Sequence, residues 1–134
     1  MAKKYKLVQN DTLPEIYLWL SDEATGQPID LSDVGTSIHL YFRKVGDTVL
    51  KDTLLLAKLP GTVTFIDEDT GEQTVKLGPP YTADGSGGRC AIQWGPTSLN
   101  TPGEYEGEVE ITFVGGGRLT GFDLLKFTIR AQVG

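Results

Sequence analysis

The stretch that most constrains the fold runs from Glu104 to Val133. Tyr105, Val109, Ile111 and Phe113 alternate with Glu104, Glu106, Glu108, Glu110 and Thr112; beyond Gly115-Gly116-Gly117, Leu125, Phe127, Ile129, Ala131 and Val133 alternate with Lys126, Thr128, Arg130 and Gln132. A period of two sends successive side chains to opposite faces of a strand, so each run has one apolar side and one polar side. Joined through the glycines, the runs are expected to pair as an antiparallel hairpin that sets Lys126 and Arg130 near the glutamates, each cross-strand pair contributing roughly 0.2–1 kcal/mol. A slip of one residue would turn Phe127 and Ile129 toward water, so the pattern specifies its own register.

The same period marks other half-buried strands: Ile16, Leu18 and Leu20 share a face, as do Ile38, Leu40 and Phe42, and again Cys90, Ile92 and Trp94. Weaker strands are expected at Lys6–Gln9, Val49–Leu56, Thr62–Ile66 and Gln73–Leu77, the last two joined by the turn-rich Asp67-Glu68-Asp69-Thr70-Gly71-Glu72. A short helix between Asp47 and Leu59 is the alternative to the Val49 strand, with Asp47 as its cap and Leu50, Leu54 and Leu55 at helical spacing. Seventeen Gly and seven Pro cut the chain into short pieces throughout. Short strands with evenly spread turn signals read as an all-β sandwich or barrel of about nine strands, a single domain spanning residues 1–134.

Charge and composition narrow the function classes. Twelve Lys and Arg against 18 Asp and Glu leave a net charge of −6, the wrong sign for a groove that tracks phosphates, so nucleic acid is not an expected partner. Apolar runs such as Leu54–Ala57 and Ile16–Leu20 are far too short to span a bilayer, and no membrane partner is expected. The single cysteine, Cys90, excludes an intrachain disulfide. Basic Lys3, Lys4 and Lys6 are followed by Asn10-Asp11 instead of an apolar segment, so no export signal is read and folding in the cytoplasm is expected.

Each candidate for chemistry has a plainer structural reading. Glu104, Glu106, Glu108 and Glu110 offer paired carboxylates, but a row on an exposed strand face stays solvated and lacks the apolar pocket that raises a catalytic acid's pKa. Asp67, Asp69 and Glu72 lack the spacing of a twelve-residue calcium loop. Asp84-Gly85-Ser86-Gly87-Gly88 is followed by a strand instead of a helix N-terminus, and reads as a mobile loop, not a phosphate cradle. Cys90 shares its face with Ile92 and Trp94, whereas His39 lies opposite Ile38, Leu40 and Phe42, so core packing is preferred to a nucleophile–base pair. Tyr17, Trp19 and Tyr41 fall opposite the apolar stripes and offer aromatic faces for stacking on sugar rings. No residue is assigned a catalytic, cofactor-binding or metal-ligating role.

Four segments, in their order and spacing, carry a family likeness: Gly26-Gln27-Pro28-Ile29-Asp30-Leu31-Ser32, Ser37-Ile38-His39-Leu40-Tyr41-Phe42-Arg43, Gly88-Arg89-Cys90-Ala91-Ile92-Gln93-Trp94, and Pro102-Gly103-Glu104-Tyr105-Glu106-Gly107-Glu108-Val109-Glu110-Ile111. From about Leu7 to Val133 the chain resembles the immunoglobulin-like N-terminal domain of baseplate upper proteins of tailed bacteriophages and prophages. Tyr105 stands where a tyrosine corner places one, with Gly107 at the position two residues on. The resemblance implies an immunoglobulin-like antiparallel β-sandwich that joins virion parts through protein contacts.

The expectation is therefore a non-enzymatic structural protein of a tailed bacteriophage particle, made in the host bacterial cytoplasm and located in the virion. Family members often continue into a long helical region, whereas this chain stops at Gly134, so a tail, neck or capsid-decoration subunit is expected alongside a baseplate adaptor. Its partners would be other virion proteins and copies of itself in a symmetric assembly, bound through sheet edges and the loops Asn10–Pro14 and Gly78–Gly88. The alternative is a carbohydrate-binding module using Tyr17, Trp19 and Tyr41.

Overall fold

The computed structural model describes residues 4–13, 15–22, 24–60, 83–121 and 124–133. Within them the chain forms nine strands and no helix: β1 (Lys4–Val8), β2 (Ile16–Trp19), β3 (Ser37–Lys44), β4 (Asp52–Leu55), β5 (Ala57–Lys58), β6 (Arg89–Ile92), β7 (Gly103–Thr112), β8 (Arg118–Thr120) and β9 (Leu125–Arg130). They build two sheets. The larger runs β1-β9-β7-β3-β4, with β8 also paired to β7; the smaller runs β2-β6-β5. All pairs are antiparallel except β1 on β9. The architecture is an all-β sandwich.

β3 and β7 form the centre of the larger sheet because both alternate strictly. Their register sets Ile38 opposite Ile111 and Leu40 opposite Val109, and these side chains are buried. A core aromatic cluster continues the stripe: Phe42 stacks on Tyr105 at 4.9 Å and meets Trp94 and Phe127, each at 5.3 Å. Trp94 and Phe127 meet edge to face at 5.5 Å, a geometry that adds about 0.5–1.5 kcal/mol to the burial itself.

The segment from Asp52 to Lys58 changes sheets. β4 hydrogen-bonds β3, and Leu56 still donates its amide to the Ile38 carbonyl at 2.8 Å, yet β5 pairs with β6 of the other sheet. The helical alternative for Asp47–Leu59 is thus not what forms. The expected Val49 strand begins later, at Asp52, because Gly46 turns the β3–β4 connection with φ +92°. The strands expected at Thr62–Ile66 and Gln73–Leu77, with the Asp67–Glu72 connection, lie outside the described residues.

The C-terminal hairpin forms with one change. After the glycine turn, β8 pairs with Glu110–Thr112 and β9 with Gly103–Gly107 along the same edge of β7. The returning chain thus pairs with β7 as two strands, β8 and β9, where the alternation predicts one beginning at Leu125. The register buries Phe127 and Ile129 and sets Lys126 opposite Glu106. Arg130 lies past the end of the row and donates to the Ala131 carbonyl at 3.0 Å instead of meeting a glutamate. The apolar alternation also outruns the strand: Ala131 and Val133 follow β9 and are exposed.

β6 departs from the half-buried reading. Cys90 and Ile92 face Leu18 and Ile16 in the core, as expected, but Arg89 and Ala91 on its other side are also fully buried. The glycine loop before β6 is a packed junction, not a mobile loop. Gly85 accepts the Leu31 amide and donates to the Leu59 carbonyl, each at 2.8 Å, while Gly88 accepts from Leu20 at 2.8 Å. Gly88 has φ +75°, and a Cβ there would lie 2.2 Å from the Leu20 carbonyl oxygen, so only glycine fits.

Candidate functional site

The outer face of the larger sheet carries the glutamate row. Because Tyr105, Val109 and Ile111 point into the core, Glu104, Glu106, Glu108 and Glu110 point away from it. They are not uniformly solvated. Glu106 is only 8% exposed; its Oε1 accepts from Arg43 Nε and Nη2, both at 2.8 Å, and its Oε2 from Lys126 Nζ at 3.1 Å. The Lys126 and Arg43 hydrogen bonds hold its pKa below the ordinary carboxylate value. That is the opposite of what a general acid at neutral pH requires. Glu104 accepts from the Thr128 hydroxyl at 2.8 Å and lies 3.6 Å from Lys4; Glu110 accepts from the Tyr41 hydroxyl at 3.0 Å. The row acts as a brace linking β1, β3, β7 and β9.

The three aromatics do not share a platform. Tyr17 and Trp19 project from the outer side of β2 in the smaller sheet, each 44% exposed. Tyr41 projects from the outer side of β3 in the larger sheet, bonded to Glu110 and stacked at 6.3 Å on His39. The whole core thus separates Tyr41 from the other two. Trp19 further holds one face against Arg89, whose guanidinium carbon lies 5.4 Å from the ring centroid.

Cys90 and His39 are likewise apart: the thiol is in the core and the imidazole on the outer face. Burial pushes the Cys90 pKa up to about 12, which suppresses the thiolate that nucleophilic chemistry needs. Asp67, Asp69 and Glu72 lie outside the described residues, as do Pro14 and much of the expected Gly78–Gly88 contact loop.

One feature escaped the sequence pattern. Between the sheets, where β2 faces β8, a groove of about 520 Å³ is lined by Trp19, Leu20, Ile29, Val109, Ile111 and Leu119, with Asp22 at its rim. Among the described residues β8 pairs with Glu110–Thr112 of β7, and the Gly121 amide continues to the Val109 carbonyl at 2.9 Å, which sets one wall of the groove opposite β2. Arg118-Leu119-Thr120 does alternate, but three residues are too few to signal a strand. Among the described residues, β2 pairs only with β6, and β8 only with β7. Beyond β2 the chain continues as Leu20–Asp22, hydrogen-bonded to Gln27 and Ile29, so among the described residues the second edges of β2 and of β8 are the ones without a strand partner.

The match expected of Tyr105 is present: its hydroxyl donates to the Thr101 carbonyl, four residues upstream, at 2.8 Å. At the position two residues on, a Cβ on Gly107 would lie 2.7 Å from Leu40 Cδ1 and 3.1 Å from Phe127 Cε2, so the core fills that position from its neighbours. No protein-family model matches the chain, and no curated protein matches it.

Proposed function

We propose that this chain is a non-enzymatic structural protein of a tailed bacteriophage particle, an immunoglobulin-like adaptor or decoration subunit that works through protein–protein contacts. The strand order supports the finer fold reading. β2-β6-β5 corresponds to strands B, E and D of such sandwiches, and β9-β7-β3-β4 to G, F, C and C′, with a tyrosine corner at the start of F.

The observation that carries the functional reading is the apolar groove between β2 and β8, two strands that each have one strand partner among the described residues. Unpaired strand edges beside apolar side chains are what a neighbouring protein uses in strand addition: backbone groups supply affinity and alternate side chains fill the pockets. The test is quantitative detection of the chain in purified particles, with Leu119→Asp compared against the parent sequence. Stoichiometric presence that Leu119→Asp abolishes, in a variant that still folds, is the expected result. A monomer missing from purified particles would overturn the reading.

The carbohydrate reading retains only Tyr17 and Trp19, adjacent on β2. Glycan binding lost in Trp19→Ala but kept in Tyr41→Ala would favour it.

A further inference from the structure

Charge is distributed unevenly over the molecule. Lys4, Lys6, Arg43, Arg118, Lys126 and Arg130 lie on the outer face of the larger sheet, since their neighbours along each strand point inward. Six cations against the four glutamates leave +2 on this face, whereas the other described residues, four cations and eight carboxylates, carry −4. Lys4, Arg43 and Lys126 are engaged by Glu104 and Glu106. Lys6 and Arg130, on neighbouring β1 and β9, are exposed and form no ion pair among the described residues.

The opposite end of the sandwich is acidic. Hydrogen bonds from Ile29 to Leu20 and from Leu31 to Gly85 gather three loops there, bringing together exposed Asp22, Asp30, Asp33 and Asp84. Lys58 reaches this group, donating to the Asp33 carbonyl at 2.7 Å. The same end exposes apolar tips: Val34 is 102% and Val114 61% exposed, and they sit close together, since a Cβ on Gly35 would lie 2.8 Å from Val114 Cγ2. An apolar centre with a charged rim is the anatomy of a protein interface.

Taking the chain as a virion protein that works through protein–protein contacts, as proposed above, we infer that copies associate head to tail: the aspartate-rimmed valine tip of one copy seats on the β1–β9 part of the next copy's outer face, around Lys6 and Arg130. The charges are complementary, and the aliphatic stems of Lys6 and Lys126 offer apolar surface to Val34 and Val114. The two patches lie at opposite ends of one chain, so the contact is heterologous and repeats as a ring or filament.

The test uses two charge-reversed variants of the full chain. Lys6→Glu with Arg130→Glu alters the face, and Val34→Lys with Asp84→Lys alters the tip; all four positions are exposed. Light scattering after size exclusion should show association by the parent chain at about 50 mM salt that weakens at about 500 mM as screening shortens. Each variant alone should associate at least tenfold more weakly, and an equimolar mixture of the two should restore association. Circular dichroism confirms that each variant folds. A monomeric parent at low salt, variants that associate as the parent does, or a mixture that fails to recover would each overturn the inference. If the chain is incorporated into particles while these tests fail, only the head-to-tail contact falls; if association follows the prediction but particles lack the chain, the virion reading falls instead.

Discussion

β6 and β7 are the middle strands of their respective sheets, and they are built on different rules. β7 alternates, with a core side of Tyr105, Gly107, Val109 and Ile111 and an outer side whose glutamates are held by Lys4, Arg43, Lys126, Thr128 and Tyr41. β6 is buried on both sides along its whole length and is preceded by a loop of packed glycines. Where one face meets water, polarity marks the face and the register. Where both faces are covered, tolerance is set by space, and the side chains no longer announce which way they point.

The contrast predicts unequal costs. Gly88→Ala should be the most damaging change, because it combines a positive φ with a Cβ driven into the Leu20 carbonyl; a loss of roughly 3 kcal/mol or more is expected in urea unfolding. Gly46→Ala is the control that separates the two causes. It has φ +92° but open space around it, so about 1 kcal/mol is expected; an equal loss at both positions would show that packing before β6 is not special. The β6 thiol should also resist alkylation in the folded protein and react once the chain unfolds, since burial holds its pKa at about 12. Rapid labelling of native Cys90 would show that β6 opens to solvent.

On the β7 side the expected effects are smaller. Tyr105→Phe removes the bond to Thr101 and should cost about 1 kcal/mol with the ring packing retained. Glu106→Gln should cost a similar or smaller amount at neutral pH, and its signature is the pH dependence. The folded pKa of Glu106 is lowered, so its contribution is complete above the unfolded carboxylate range, near pH 4.3, and is lost as pH falls through the folded value. The parent chain should therefore lose stability below about pH 4 more steeply than Glu106→Gln, as read by thermal melts across that range. Parallel curves would mean that the brace on Glu106 contributes little.

Much of this was legible in the residues. Ile38, Leu40 and Phe42, and the alternation around Tyr105 and Phe127, pointed to the right strands and the right inner faces, because hydrophobic burial on one face imposes a period of two. The pattern groups Tyr41 with Tyr17 and Trp19 because alternation tells which side of its own strand a residue occupies, but not which sheet that strand joins. Glu106 read as solvated for a related reason. Its cations come from β3 and β9, 63 and 20 residues away along the chain, and only strand pairing brings them within reach. One wall of the groove is set by β8, whose three residues do not signal a strand.

Residue pattern alone was enough for the all-β class, the inward stripe of most strands and the core position of Cys90, since local stereochemistry and the partition of apolar side chains from water act residue by residue. Folding in three dimensions settled which strands share a sheet, that Leu56 hands the chain from one sheet to the other, that the aromatics stand on opposite faces, and that Arg43 and Lys126 converge on Glu106. Those outcomes depend on long-range strand pairing, whose partners no local pattern names.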